Sequence, residues 1–264
     1  MKLQLVSPRT GITWVKLGMQ TFFKQPLALS GLLFMYFAGA SALTLVPVVG
    51  LVLALALVPT ATLGLMVAAK EASDGKFPMP TVFLSAFRVG REQMRNMLVL
   101  GVLYAGACML VMLLTPLLVD MPQEAKGGVN PSQELAMNPA FQKYMLVGVL
   151  LQLPVALVFW HAPALVHWHG VSPLKSLFFS AVACLRNGAA MVVYGLGWFV
   201  VLFACVSVIT LAAVITGSPQ LAALMLMPVA VLFAAMVTTS FYFSFRDSFI
   251  EPSTETSHDS AHPG

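Results

Sequence analysis

Six apolar stretches, at residues 27–46, 50–69, 97–119, 144–165, 189–215 and 220–245, decide what this chain can fold into. At 1.5 Å per residue, each is long enough as a helix to cross about 30 Å of hydrocarbon. Helix is the state such a segment must take, because backbone groups in lipid find partners only within the segment. Composition agrees: 59% of residues are hydrophobic and 9% charged, against about 25% charged in soluble domains. In water, a chain of 264 residues could not hide that much apolar surface. The sequence therefore predicts an all-α, polytopic transmembrane bundle of six helices. It forms a single integral membrane domain over residues 1–250, and the Ser-, Thr-, Asp- and His-rich tail at 251–264 is expected to be disordered.

Charge orients the bundle. Of the 14 Lys and Arg residues, only Lys126 and Lys143 fall in connections assigned to the outer side. The rest flank the other ends of the spans: Lys2, Arg9, Lys16 and Lys24; Lys70, Lys76, Arg88, Arg91 and Arg95; Lys175 and Arg186; and Arg246. By the positive-inside rule both termini should be cytoplasmic, with residues 120–143 forming the one long outer loop. This positional bias accounts for the net charge of +4 without nucleic acid, which would call for a clustered basic face. Residues 27–37 followed by Ala40-Ser41-Ala42 imitate a secretory signal, but the preceding 26 residues are too long and too aromatic for an n-region. An uncleaved first span is expected there.

Three further segments read as amphipathic helices lying in the inner interface, at 9–25, 80–95 and 173–187. In the first, Lys16, Gln20 and Lys24 oppose Ile12, Val15, Met19 and Phe22. In the second, Arg88, Arg91 and Arg95 share a face opposite Val82, Phe83, Ala86 and Phe87. In the third, Leu174, Leu177, Phe178, Ala181, Val182 and Leu185 form a helical stripe, with Lys175 and Arg186 on another face. Pro8, Pro80 and Pro173 stand where a first helical turn tolerates proline. Proline, basic amphipathic helix and apolar hairpin thus recur three times, a pattern compatible with an internal repeat or with topology alone.

One constellation has chemical content: Trp160, His161, His167, Trp168 and His169, at the inner end of the fourth span. Three imidazoles within nine residues suit a metal or a proton relay. However, His167 and His169 point to different helix faces, Pro163 interrupts the run, and no acid or cysteine stands beside them. The alternatives are an interfacial belt of aromatic anchors or a pocket for a ligand or lipid headgroup. Gln152 beside Pro154 joins the candidates, as an amide at span depth that needs a partner. Mid-span ionisable residues, usual along ion-coupled pathways, are missing. Cys108, Cys184 and Cys205 have no metal or redox spacing, and the nucleotide-loop, zinc-protease and hydrolase motifs are absent. No catalytic residue, metal or cofactor is expected.

Several local patterns taken together resemble a known family. They are Pro26-Leu27-Ala28-Leu29, Leu45-Val46-Pro47 with Gly50, Ala162-Pro163-Ala164-Leu165-Val166, Trp168-His169-Gly170, and Leu177-Phe178-Phe179-Ser180. Cys184 with Arg186-Asn187, Tyr194-Gly195-Leu196 with Trp198, and Phe245-Arg246-Asp247 complete the set. The combination looks like a proteobacterial family of multi-pass inner-membrane proteins of unknown function, over roughly residues 1–250. The resemblance implies architecture and compartment, and brings no activity. The functional expectation is a non-enzymatic accessory or scaffold protein of the bacterial envelope. Its basic residues Lys16, Lys24, Arg88, Arg91, Arg95, Lys175 and Arg186 would engage membrane lipid, or a membrane or cytoplasmic protein partner. The alternative is a permease or exporter of an apolar or lipid-like solute, with Gln152, Pro154 and residues 160–170 lining its path.

Overall fold

A computed structural model describes residues 2–47, 49–120 and 138–250. Most of the long 120–143 loop, with Lys126, and the tail with His258 and His262 lie outside the described residues. The elements are α1 (Thr10–Lys24), α2 (Pro26–Thr44), α3 (Val49–Ser73), a 3-10 turn (Pro80–Leu84), α4 (Ser85–Arg88) and α5 (Arg91–Leu118). They continue with α6 (Pro139–Phe159), α7 (Ala162–His169), α8 (Pro173–Arg186), α9 (Gly188–Thr216) and α10 (Pro219–Ser248). Six segments are long and apolar enough to span a bilayer: α2, α3, α5, α6 continued through α7, α9, and α10 from Gln220. The protein is an all-α membrane bundle.

Boundaries follow from local chemistry. Proline occupies the first turn of α2, α6, α7, α8 and α10, where its missing N–H costs nothing. Gln25, kept out of the helical conformation (φ −144°, ψ 61°) before Pro26, separates α1 from α2. Asn138 caps α6 by accepting from the Ala140 amide at 2.9 Å. Gly170, at φ 62°, closes α7 in the left-handed conformation that an L side chain rarely adopts.

Two short strands, β1 (Lys2–Leu3) and β2 (Phe249–Ile250), pair antiparallel and bring the described chain ends to one end of the bundle. A two-residue ladder has no helical or alternating pattern to announce it. It is reinforced at Asn187, whose Oδ1 accepts from the Val6 amide while its Nδ2 donates to the Gln4 carbonyl. Trp14 Nε1 donates to Asp247 at 3.0 Å, and Arg246 pairs with the same carboxylate.

The core is concentrated at this same, basic end. Trp14, Phe22, Leu33, Tyr194, Trp198 and Phe243 form one buried cluster; Leu63, Met97, Leu100, Phe159 and Val166 form a second. Met66, Leu165, Phe245 and Phe249 form the third. The most buried span is α3, whereas the most apolar window of α9 has no buried residue. In lipid such exposure costs nothing, because the tails solvate the same side chains.

Two expected helices differ from their sequence reading. Residues 80–95 do not form one amphipathic helix: a 3-10 turn and one turn of α4 end at Gly90, whose φ is 148°. Arg91 and Arg95 instead open the third span. The helix α1 exists, but it is wedged into the bundle through Gly11, Trp14, Val15, Gly18, Thr21 and Phe22, while Ile12 and Phe23 face outward. Glycine is the reason. A Cβ on Gly11 would strike the Ala190 carbonyl, and one on Gly18 would lie 2.5 Å from Ser240 Cβ. Seven residues apart, the two glycines let α1 press its backbone onto α9 and α10.

The candidate site at the bend of the fourth span

Between α6 and α7 the fourth span bends at Trp160 and His161. Pro163 cannot donate a helical hydrogen bond, so the ladder is already weakened here. Ser180, from the middle of α8, completes it. Its Oγ accepts from the His161 amide at 2.9 Å and donates to the Leu157 carbonyl at 2.9 Å. Those two groups are four residues apart and would bond each other in a regular helix. The hydroxyl is therefore inserted into the ladder, one of the few ways to bend a helix without leaving orphaned backbone.

The His161 ring is fully buried beneath this bend. Its Nδ1 lies 3.7 Å from Cys184 Sγ and its Nε2 3.4 Å from Ser244 Oγ, with Phe249 edge-on at 5.5 Å. Ser244 also accepts from Trp160 Nε1 at 3.1 Å and donates to the Phe241 carbonyl at 2.9 Å. Trp160, His161, Ser180, Cys184 and Ser244 thus form one closed polar knot joining the fourth span, α8 and α10. Their hydrogen-bonding capacity is spent on one another and on the backbone. Burial pushes the Cys184 thiol up to about 12, so it carries no thiolate. The knot holds a shape and presents no open nucleophile.

The other sequence candidates diverge from it. Trp168 stacks on Phe245 at 5.1 Å and meets Tyr242 edge-on, an aromatic anchor at the end of α7. His169 lies 5.8 Å from the same Phe245 ring. His167 turns the other way, into a cavity of about 250 Å³ shared with Glu71, Thr81, Ser85 and Arg88; its Nδ1 is buried without a partner. Gln152 lines a different cavity of about 350 Å³ with Thr115 and Tyr144, and donates to Cys108 Sγ at 3.6 Å. Trp160 borders a third, of about 210 Å³, between Pro59 and Pro163. The three imidazoles do not converge, and no group of three metal-binding side chains occurs among the described residues. Lys16, Lys24, Arg88, Arg91, Arg95, Lys175 and Arg186 are all exposed.

The sequence reading missed the serines. Ser240, Ser244 and Ser248 are buried, four residues apart on α10; Tyr194 bonds the first at 2.7 Å and Trp160 the second. On α8, Ser176, Ser180, Ala183 and Cys184 are buried, a stripe of small residues at helical spacing. The signal was present as period but not as hydrophobicity. Half of the expected apolar stripe of α8 points outward, with Leu174 71%, Phe178 64% and Leu185 71% exposed, while Ala181 and Val182 are half-buried and Leu177 packs against the second cluster.

A probable inner membrane protein of Burkholderia thailandensis is 34% identical to this chain over 255 residues, covering 94% of both. No family model matches the chain, and no solved structure matches it significantly.

Proposed function

The chain belongs to the proteobacterial inner-membrane protein family represented by this Burkholderia relative, and on that premise we propose that it is an accessory or scaffold protein of the envelope. It is an integral, multi-pass protein of the inner membrane. In this reading both termini face the cytoplasm, and the basic end of the bundle docks on anionic lipid or on a membrane or cytoplasmic partner.

The observation that carries the reading is α8. Its small-residue face is used up against the bundle, which leaves Leu174, Phe178 and Leu185 outward beside Lys175 and Arg186. An apolar face flanked by cations at a bundle end suits the boundary between acyl chains and anionic headgroups. On α1, Ile12 and Phe23 lie outward near Lys16 and Lys24 in the same manner. The test is binding of phosphatidylglycerol to the purified full-length protein in detergent micelles, counted by native mass spectrometry. Lys175→Gln with Arg186→Gln should weaken anionic-lipid association; equal association would sink the reading. Reporter fusions after Lys126 and after Glu251 should report opposite sides of the membrane.

The second reading, a permease for an apolar solute, draws support from the two cavities at span depth beside Gln152 and Trp160. Saturable solute flux in reconstituted vesicles, abolished by Gln152→Leu, would favour it over the first.

A further inference from the structure

We infer that the cavity between the end of α3, the 80–89 segment and α7 is a binding site for a phosphoethanolamine headgroup, the zwitterionic head of a membrane phospholipid. The inference rests on the reading above that the basic end of the bundle lies at headgroup depth. It adds a defined pocket and a lipid class to it.

The cavity is about 250 Å³, and three separate elements bring polar groups to it. Glu71 comes from the last turn of α3, Thr81, Ser85 and Arg88 from the short helices that follow, and His167 from α7. The fold leaves these groups underused. Among the described residues neither Glu71 nor Arg88 has an opposite charge within ion-pair distance, although both line the same space. His167 Nδ1 is buried without a hydrogen-bond partner, a state that normally costs free energy. Ser85 Oγ donates to the Val82 carbonyl at 2.6 Å, so what it offers the cavity is an acceptor.

A separated cation and anion that do not neutralise each other match a ligand carrying both charges. Arg88 presents a fork of donors to phosphate oxygens, the geometry in which guanidinium outperforms an ammonium. The Thr81 hydroxyl adds a further donor, and the His167 ring gains its missing hydrogen bond by turning toward the phosphate. On the other side, Glu71 and Ser85 Oγ accept from the ligand's ammonium. A headgroup without that ammonium leaves Glu71 facing an anion, which disfavours phosphatidylglycerol at this position. Depth selects a lipid over a free metabolite. Both α3 and the fourth span end within one turn of the cavity, so an anchored phosphate arrives at this level without leaving the bilayer.

The test is native mass spectrometry of the delipidated full-length protein, titrated with chain-matched phosphatidylethanolamine and phosphatidylglycerol. One phosphatidylethanolamine should be retained in preference to phosphatidylglycerol. Arg88→Gln should weaken its retention by about tenfold or more, the usual weight of a charge-assisted contact. Arg88→Lys should recover only part, since the charge returns without the fork. Glu71→Gln should erase the preference between the two lipids. Arg88 is exposed and Glu71 only partly buried, so both variants should remain monodisperse. Equal retention of the two lipids by the unaltered protein, or an unchanged preference in Glu71→Gln, overturns the inference. So does displacement by inorganic phosphate as effective as by glycerophosphoethanolamine, which would mark a plain anion site. Replacing Lys175 and Arg186 should leave phosphatidylethanolamine retention intact, which separates failure of this pocket from failure of the surface-docking reading.

Discussion

Replacing Ser180 by Ala should be among the most damaging single-atom changes available in this protein. The substitution removes one hydroxyl oxygen and leaves two buried backbone groups, the His161 N–H and the Leu157 C=O, without the group that bridges them. An unsatisfied buried donor or acceptor costs about 1–3 kcal/mol, so the pair is worth about 2–6 kcal/mol if the bend persists. If α6 and α7 instead straighten so that the amide reaches the carbonyl directly, the loss shrinks toward the ~0.6 kcal/mol average for hydrogen bonds between membrane helices. Straightening, however, would pull His161 away from Cys184 and Ser244 and Trp160 away from Ser244. The larger figure is therefore expected. Reversible unfolding in mixed micelles at increasing dodecyl sulfate fraction, followed by tryptophan fluorescence, gives the stability change. Amide exchange over residues 157–161 reports the bend itself and should accelerate. A Ser180→Ala loss below about 0.5 kcal/mol with unchanged exchange at His161 would refute the inserted-hydroxyl account.

Gly18→Ala should dislodge α1, because its methyl would meet Ser240 Cβ on a backbone that has no room to yield; overpacking of this kind costs about 1–3 kcal/mol, read in the same unfolding titration. Gly31→Ala, which meets nothing within 4 Å, is the matched control and should be near neutral. In protein carrying Cys108→Ser and Cys205→Ser, the Cys184 thiol should resist maleimide at pH 8 while folded and react on unfolding, since burial holds it protonated; rapid labelling of that folded protein would contradict this. The same shift has a sign. The folded thiol stays neutral while an unfolded one ionises above its ordinary value of 9.0, so the unfolded state binds fewer protons and stability falls as pH rises from 9 toward 12. Its share of the slope should approach about 1.4 kcal/mol per pH unit and vanish in Cys184→Ala. Asn187→Ala should free the β1–β2 pairing by removing the bonds to Val6 and Gln4, seen as faster amide exchange at residues 2–6 while the spans stay protected.

Hydropathy alone identified six spans and an all-α membrane bundle, and local patterns identified the family. These properties depend on how a segment meets its solvent, and solvent preference is additive along the chain. Prolines and glycines likewise marked most boundaries, because a missing N–H or a left-handed turn acts within a few residues. The 80–95 segment shows the limit of periodicity: its charges lie on one helical face, yet Gly90 breaks the helix and gives Arg91 and Arg95 to the next span.

What the linear chain left undetermined is which polar groups meet. Trp160, His161 and His167 are neighbours in sequence, yet the bend sends His161 toward Cys184 and Ser244 and His167 toward Glu71 and Arg88. Ser180 and Ser244 lie 23 and 87 residues beyond Leu157, so nothing local to the fourth span announces the knot they tie around it. In a bundle whose apolar side chains are as comfortable in lipid as against one another, small residues and hydrogen bonds choose the helix neighbours. Those choices join residues far apart in the chain, and only the folded bundle makes them.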